Sequence, residues 1–189
     1  MNAPVPATQQ NETRNDVELI AAINGGDHSA FEVLYFRHRD WVVNLACRFT
    51  RDQDLALDVL QETFLYFLRK FPGFQLTANL KTFLYPAVRN LSIAAREKAR
   101  RFQATAAELL EIEQAAAPAA ANSLHDLNQV VSHLPDEQRE TMLLRFVDGL
   151  SLAEISEAMN TPLGTVKSRL HNALKALRED ERTKEFFSE

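Results

Sequence analysis

The amino-acid sequence predicts an all-α protein with two small helical domains joined by a linker. Apolar residues recur at helical spacing along most of the chain, and no segment alternates apolar and polar residues as a half-buried strand would. Only five glycines and seven prolines interrupt the 189 residues, which favours helices over turn-rich β structure. Between the two helical stretches, the composition shifts to alanine and acidic residues, which indicates the linker.

The first predicted domain covers residues 16–102 and follows a tail, residues 1–15, whose Pro, Gln and Asn content predicts disorder. Its helical segments are DVELIAAIN, ended by Gly25 and Gly26, then HSAFEVLYFRHRDWVVNLACRFT, LALDVLQETFLYFLRKF and LKTFLYPAVRNLSIAAREKARRF. Asp54 is predicted to cap the third segment, and Pro72-Gly73 to close it. Because Pro86 lacks a backbone donor, we expect it to kink or restart the fourth segment.

The third segment is predicted to have a core face and a separate acidic face. The predicted core residues are Leu57, Leu60, Phe64, Phe67 and Leu68. Asp58 and Glu62 lie together on another face, where like charges four residues apart cost a few tenths of a kcal/mol in an isolated helix. Two explanations are open: a basic partner surface complements the pair, or Arg69 on the same face neutralises it.

The second predicted domain covers residues 123–189, after a linker of residues 103–122 that is able to begin as a helix. It starts with SLHDLNQVVSHL. A helix in PDEQRETMLLRFVDG follows, which is predicted to start at Pro135 and to end at Gly149, since proline suits the first helical position and glycine the end.

The stretch SLAEISEAMNTPLGTVKSRL, residues 151–170, predicts a helix-turn-helix. Ser151 and Glu154 have the spacing of a capping box, which starts the first helix. Thr161 and Pro162 suit the N-cap and first position of the next helix. Asn160, between the two helices, is one of the few residues that tolerate a left-handed backbone.

The second helix of this pair has the character of a recognition helix. Its apolar side comprises Leu163, Val166, Leu170, Ala173, Leu174 and Leu177. Its opposite side and flanks comprise Thr165, Lys167, Ser168, Arg169, His171, Asn172 and Lys175. These polar groups are short, uncharged or positive, and they suit hydrogen bonding to base edges in the major groove. The alternative is an ordinary solvated amphipathic helix.

The charge distribution favours a nucleic-acid partner although the formal net charge is −5. Residues 80–102 contain six basic residues and a single acid, and residues 161–178 contain four basic residues and no acid. Two basic segments in an acidic chain are typical of proteins that contact nucleic acid locally.

No residue pattern predicts catalysis, a cofactor or a metal site. The five histidines have no metal-ligand spacing with Cys47 or a carboxylate cluster, and no glycine-rich phosphate loop occurs. We therefore predict that the chain is not an enzyme. Cys47 is expected to be a small core residue. No apolar stretch is long enough for a membrane span or a secretion signal, which predicts a cytoplasmic protein without membrane insertion.

On these residues, the sequence resembles the bacterial sigma-70 family of RNA polymerase sigma factors, and most closely the extracytoplasmic-function (ECF) group, which has only regions two and four. Region four is matched by LPDEQRETMLLRFVDGLSLAEISEAMNTPLGTVKSRLHNALKALRE. Region two is matched roughly from Asp27 to Arg101, including DVLQETFLYFLRKF and VRNLSIAAREKARR. The two matches cover about two thirds of the chain.

The resemblance implies that core RNA polymerase and promoter DNA are the partners. Region two would bind the β′ clamp helices and open the minus-ten element, while region four would bind the β flap and read the minus-thirty-five element. The family places its clamp contact at a D-x-x-Q-E motif, which Asp58, Gln61 and Glu62 match. The resemblance also implies an anti-sigma factor, because family members are often held by one.

The family captures the unpaired promoter strand with the loop that corresponds to residues 71–79. The residues matched to this loop and to the minus-ten contacts that follow it are Phe74, Lys81, Arg89, Asn90 and Arg96. Flipping bases out of the stack costs a few kcal/mol each, which protein pockets and aromatic stacking recover. For Phe83 and Tyr85 in the same segment, we prefer a core role.

The main alternative is an ordinary helix-turn-helix regulator, which would read duplex DNA alone and carry a sensor domain. The N-terminal half of the chain discriminates between the two, because a sensor domain does not need an acidic helix face followed by a basic, aromatic segment. A helical adaptor without a DNA role is disfavoured by the acid-free recognition helix.

Overall fold

The structure is a computed structural model that describes residues 13–109 and 131–180, and the side chains of all of these except residues 105–109. The described residues fall into two compact units, one in each range. Both units contain helices and, over these ranges, no strand. The predicted all-α class with two helical domains is therefore confirmed.

The first unit contains four helices. They are α1 (Asp16–Asn24), α2 (His28–Thr50), α3 (Gln53–Leu68) and α4 (Leu80–Leu109). α2, α3 and α4 pack against one another, and α1 packs on α2. As predicted, α1 ends at the glycine pair: Gly25 is its C-cap, and Gly26 has a φ of +92°.

The core of the first unit lies between α2, α3 and α4. Its largest fully buried side chains include Leu34, Leu45, Phe67, Leu84 and Tyr85. The core role preferred for Tyr85 is confirmed, since it is 1% exposed. Phe83 is half-buried among other aromatic rings.

The predicted core face of α3 is wrong at two positions. Leu57 is 43% exposed and Leu68 is 40% exposed. The buried stripe instead passes through Ala56, Val59 and Thr63, together with the correctly predicted Leu60, Phe64 and Phe67. The buried face is thus rotated towards the side of Ala56, Val59 and Thr63, because α2 and α4 pack on a side that the spacing of leucines alone does not identify.

The predicted cap of α3 is also wrong. Asp52, not Asp54, is the N-cap, and its side chain accepts a hydrogen bond of 3.0 Å from the Leu55 amide. The reason lies in the preceding turn, where Arg51 adopts a left-handed backbone with φ of 57°. The Thr50 hydroxyl donates to the Asp52 carbonyl at 2.9 Å and fixes that turn. The cap of α3 therefore lies two residues earlier than expected.

Pro86 does not restart α4, which was one of the two outcomes expected of it. The helix runs from Leu80 to Leu109 with Pro86 inside it. Proline removes one helical hydrogen bond. The neighbouring residues Leu84, Tyr85 and Val88 are all buried, so their packing holds the helix together across that missing bond.

Two predicted segments extend beyond the described residues. α4 continues to Leu109, so the predicted linker begins as a helix, whereas residues 110–122 of it lie outside the described residues. Residues 1–12 of the predicted tail also lie outside them. Asn15, at the end of that tail, caps α1 by accepting from the Glu18 amide at 3.0 Å.

The second unit contains α5 (Asp136–Phe146), α6 (Leu152–Ala158) and α7 (Leu163–Glu179). α7 packs on both α5 and α6. The core of the second unit includes Val131, Leu134, Met142, Ala173 and Leu177. Of the predicted segment SLHDLNQVVSHL, only residues 131–134 are described.

The predicted start of the helix-turn-helix is confirmed. Ser151 accepts from the Glu154 amide at 3.2 Å, and the Glu154 carboxylate accepts from the Ser151 amide at 2.7 Å. Asn160 has a φ of 47°, the left-handed conformation expected of it. Both features are local, and local chemistry predicts them.

The two predicted proline starts are each one residue early. Pro135 and Pro162 occupy the cap position, and α5 and α7 begin at the next residue. Thr161 does not cap α7: its hydroxyl donates to the Met159 carbonyl at 3.1 Å, and its own carbonyl accepts from the Ser156 hydroxyl at 2.6 Å. These bonds close the turn between the helices.

The end of α5 and one residue of the α7 apolar side also differ from prediction. α5 ends at Phe146, three residues before Gly149, whose φ is +76°. Leu163 is 40% exposed rather than buried, because it lies at the first position of α7, beyond the edge of the core.

Candidate functional site

The residues of the predicted D-x-x-Q-E motif, Asp58, Gln61 and Glu62, form one exposed stripe on α3. Leu57, Leu65 and Leu68 flank them and are 43%, 45% and 40% exposed. Within the described part of the chain, neither carboxylate has an ion pair or a side-chain hydrogen bond, and Arg69 makes no ion pair with either of them. The stripe therefore combines unpaired negative charge with apolar surface.

Phe74 lies in the loop between α3 and α4, where its ring packs inside an aromatic cluster. Its ring centroid is 4.7 Å from that of Phe83, 5.3 Å from that of Phe67 and 5.7 Å from that of Phe71. The side chain is half-buried. Packing of this kind anchors the loop, and the exposed uncharged polar residues of the loop are Gln75, Thr77 and Asn79.

The basic residues predicted to hold the minus-ten region follow one flank of α4. At the helical repeat, Lys81, Arg89 and Arg96 lie within about 80° of one another around the axis. The Lys81 ammonium is 5.8 Å from the centroid of the Trp41 ring, and Arg96 donates to the Phe49 carbonyl at 3.3 Å. Asn90 lies on the opposite, solvent-facing side of the helix, so the fold does not bring it together with the other three.

α7 presents most of its predicted polar face to solvent. Val166, Ala173 and Leu177 are buried. The exposed polar residues are Lys167, Ser168, His171, Asn172 and Lys175, whereas Thr165 is half-buried. α7 therefore has the buried side and the exposed donor-rich side that a groove-reading helix requires.

Arg169 differs from the other predicted DNA contacts on α7, because its side chain is bonded to a different helix. Its guanidinium pairs with the Glu137 carboxylate of α5 and lies 3.5 Å from the Thr161 hydroxyl. Its side chain is only 18% exposed. No local sequence pattern indicated this pair, since 32 residues separate its partners. Arg169 thus connects α7 to α5 and to the turn.

Asn24 is a residue that the sequence analysis did not identify. Its side-chain amide donates to the Phe74 carbonyl at 2.7 Å, and its side-chain oxygen accepts from the Gly73 amide at 2.7 Å. No local pattern marks it, because its partners lie 49 and 50 residues away.

The described residues contain no group of three histidine, cysteine, aspartate or glutamate side chains placed to hold a metal ion. Cys47 is half-buried rather than part of the core. Burial and then the charge of Asp52 raise the pKa of its thiol, which keeps the thiol protonated at neutral pH. Over the same ranges, none of the helices has the length and apolar content needed to cross a bilayer.

Comparison with known proteins agrees with the two-unit architecture. The family described as Sigma-70 region 2 matches residues 34–102, and the family described as Sigma-70, region 4 matches residues 124–177. The chain therefore belongs to the sigma-70 family of RNA polymerase sigma factors, which serve promoter recognition and transcription initiation, and within that family to the ECF group.

Individual relatives belong to the same group. The chain is 28% identical over 173 residues to the ECF RNA polymerase sigma factor SigW of Bacillus subtilis, a match that covers 84% of this chain and 92% of the relative. It is 29% identical over 180 residues to the ECF RNA polymerase sigma-E factor of Escherichia coli K12, covering 88% and 94%. Among solved structures, the sigma factor RpoE from Bartonella quintana, in complex with the anti-sigma factor NepR, superposes with a TM-score of 0.58 and 25% identity over 79% of this chain and 94% of that chain.

Proposed function

We propose that this sigma factor binds the β′ clamp helices of core RNA polymerase through the stripe on α3 formed by Asp58, Gln61 and Glu62. The observation that carries the proposal is the exposure of two unpaired carboxylates beside three exposed leucines. A basic partner helix with apolar contacts would complement both properties of that surface. The β flap is the proposed partner of the second unit.

Promoter DNA is the second proposed partner, and it contacts both units. In the first unit, the basic flank of α4 formed by Lys81, Arg89 and Arg96 would hold phosphates near the minus-ten element, with Asn90 and Phe74 nearby in sequence. In the second unit, α7 would read the minus-thirty-five element with the half-buried Thr165 and with its exposed polar residues: Lys167, Ser168, His171, Asn172 and Lys175. Phosphate contacts would fix position, and base-edge contacts would supply specificity.

An anti-sigma factor is the third proposed partner, by analogy with RpoE, which was solved bound to NepR. We propose that the chain catalyses no reaction itself and that the polymerase performs all the chemistry. Because the polymerase and the promoter lie in the cytoplasm, we propose that the protein acts there. We also propose that residues 16–102 and 123–189 correspond to regions two and four, with residues 103–122 between them.

Reconstituted transcription tests the proposed function. The purified protein, mixed with core polymerase from its host and a pool of genomic fragments, should produce transcripts from defined start sites. Sequencing of the transcript 5′ ends measures this, with core polymerase alone as the control. If the mixture gives no more start-site-specific transcript than core alone, and no complex forms at micromolar concentration, the proposed function is wrong.

A further experiment separates the two possible roles of Arg169. If Arg169 reads a base, we expect Arg169→Ala to weaken recognition of the minus-thirty-five element by about 1–3 kcal/mol. If it instead braces α7 against α5, Glu137→Ala should impair it to a similar degree, and the double variant should add little. Transcription from promoters with single upstream substitutions is the measurement. If Arg169→Ala alone relaxes the base preference at one promoter position, Arg169 reads a base. If Arg169→Ala and Glu137→Ala both lower transcription from all these promoters equally, Arg169 braces α7.

A further inference from the structure

The last residue of α1 is bonded to the loop that joins α3 to α4. Asn24 donates to the Phe74 carbonyl and accepts from the Gly73 amide, each at 2.7 Å. The amide side chain therefore satisfies a donor and an acceptor of two successive loop residues at once. Asn24 is half-buried, and its bond to the Phe74 carbonyl is partly shielded from competing water, whereas its bond to the Gly73 amide is exposed.

The two ends of the loop, residues 69–79, are bonded to the adjoining helices. The amides of Arg69, Lys70 and Phe71 donate to carbonyls of α3, and the Asn79 carbonyl accepts from the Phe83 amide of α4. The middle of the loop, residues 72–78, contains neither helix nor strand, so its peptide groups need partners from side chains or water. Gly73 has a φ of +95°, which places a sharp turn at the point that Asn24 holds. The other attachments are the Phe74 ring in the aromatic cluster and Asn79, which accepts from the Lys81 amide at 2.9 Å at the start of α4.

α1 is itself firmly attached, so it provides a fixed support for that amide. Leu19 and Ile20 are 0% and 2% exposed. Asp16 accepts from Arg37 and bonds His38, both on α2 and both at 2.8 Å. Burial alone would raise the pKa of Asp16, but the hydrogen bonds and charges of His38 and Arg37 outweigh it and keep the pKa below its ordinary value. The carboxylate therefore stays ionised and bonded at neutral pH.

We propose that Asn24 is a positioning residue for promoter opening. It holds the Gly73–Phe74 turn so that the exposed side chains of Gln75 and Thr77 point towards the separated DNA strand. An amide and a hydroxyl are suited to hydrogen bonding with the edges of unstacked bases. This inference rests on the proposed function, because it assigns Asn24 a part in the strand capture proposed for the loop. Without the two bonds, the loop samples more conformations, and ordering it costs free energy at the moment the DNA opens.

The test compares Asn24→Asp and Asn24→Ala with the wild type in reconstituted holoenzyme. Aspartate keeps the acceptor for the Gly73 amide but loses the donor to the Phe74 carbonyl, and alanine loses both. Ala21→Asn is the matched control, since it places an exposed amide one turn earlier on the same helix. One set of templates consists of duplexes that the wild type selects from a library randomised over the minus-ten element. The second set consists of the same duplexes with a preformed mismatch bubble at that element.

We expect both Asn24 variants to transcribe intact duplexes about tenfold less than the wild type, and bubble templates within about twofold of it. The affinity for core polymerase and the base preference at the minus-thirty-five element should not change, because α3 and the second unit are unaltered. Equal transcription by all variants on intact duplexes would overturn the proposal. So would an equal loss on duplex and bubble templates accompanied by weaker core binding, since that pattern indicates general destabilisation. If the wild type itself transcribes no selected template, the proposed function fails instead.

Discussion

Replacement of both Asp58 and Glu62 by lysine should weaken binding to core RNA polymerase about 10- to 100-fold. Both carboxylates are exposed, and neither has a partner within the described residues, so reversal of their charge removes attraction and adds repulsion against a basic partner. The fold should not suffer, because surface substitutions that break no contact usually change stability by less than about 0.5 kcal/mol. Fluorescence anisotropy with a labelled sigma factor measures the affinity.

A charge-matched control distinguishes a specific interface from a general charge effect. Glu32→Lys combined with Asp40→Lys changes the net charge by the same amount, on exposed positions of α2. We expect this variant to bind core polymerase within about threefold of the wild type. If the α3 variant binds as tightly as this control at low salt, the clamp contact does not lie on α3.

Phe67→Ala should lower the free energy of unfolding of the first unit by about 3–5 kcal/mol. Phe67 is 0% exposed, and its ring contacts those of Phe31, Phe71, Phe74 and Phe83. Truncation would leave a cavity under the loop that follows α3. Trp41 is the single tryptophan of the chain and lies in α2, so its fluorescence during urea unfolding reports on this unit.

Phe102→Ala provides the comparison, because that phenylalanine lies on α4 and is 77% exposed. Its truncation should change stability by less than about 0.5 kcal/mol. Similar losses for the two variants would mean that the aromatic cluster does not support the first unit. A large loss confined to Phe67→Ala would support the packing described above.

Local chemistry explains why so much of the fold was predictable from the sequence. The capping box at Ser151, the left-handed Asn160 and the glycine end of α1 each depend on a few neighbouring residues, and all three are present. The cap of α3 shows the limit of this reasoning. Asp52 and Asp54 have the same chemistry, and the choice between them was made by the turn at Thr50 and Arg51, which no helical repeat reveals.

Features that depend on distant residues were not predictable. Helical spacing identified an apolar stripe on α3, but the packing of α2 and α4 decided that Leu57 and Leu68 lie outside it. In the same way, the sequence indicated that Arg169 is available to DNA, whereas Glu137 holds it within the unit. Asn24 carried no signal at all. Such pairs arise only once the chain has folded.

The internal bonding of Arg169 has a consequence for altering the DNA preference of this protein. The side chains that orient α7 are distinct from those that project outward from it, so retargeting is possible without redesign of the scaffold. Variation of Lys167, Ser168, His171 and Asn172 in a combinatorial library leaves the Arg169–Glu137 pair and the hydrophobic core in place. Such a library should yield orthogonal variants for synthetic gene circuits that retain the stability of the parent.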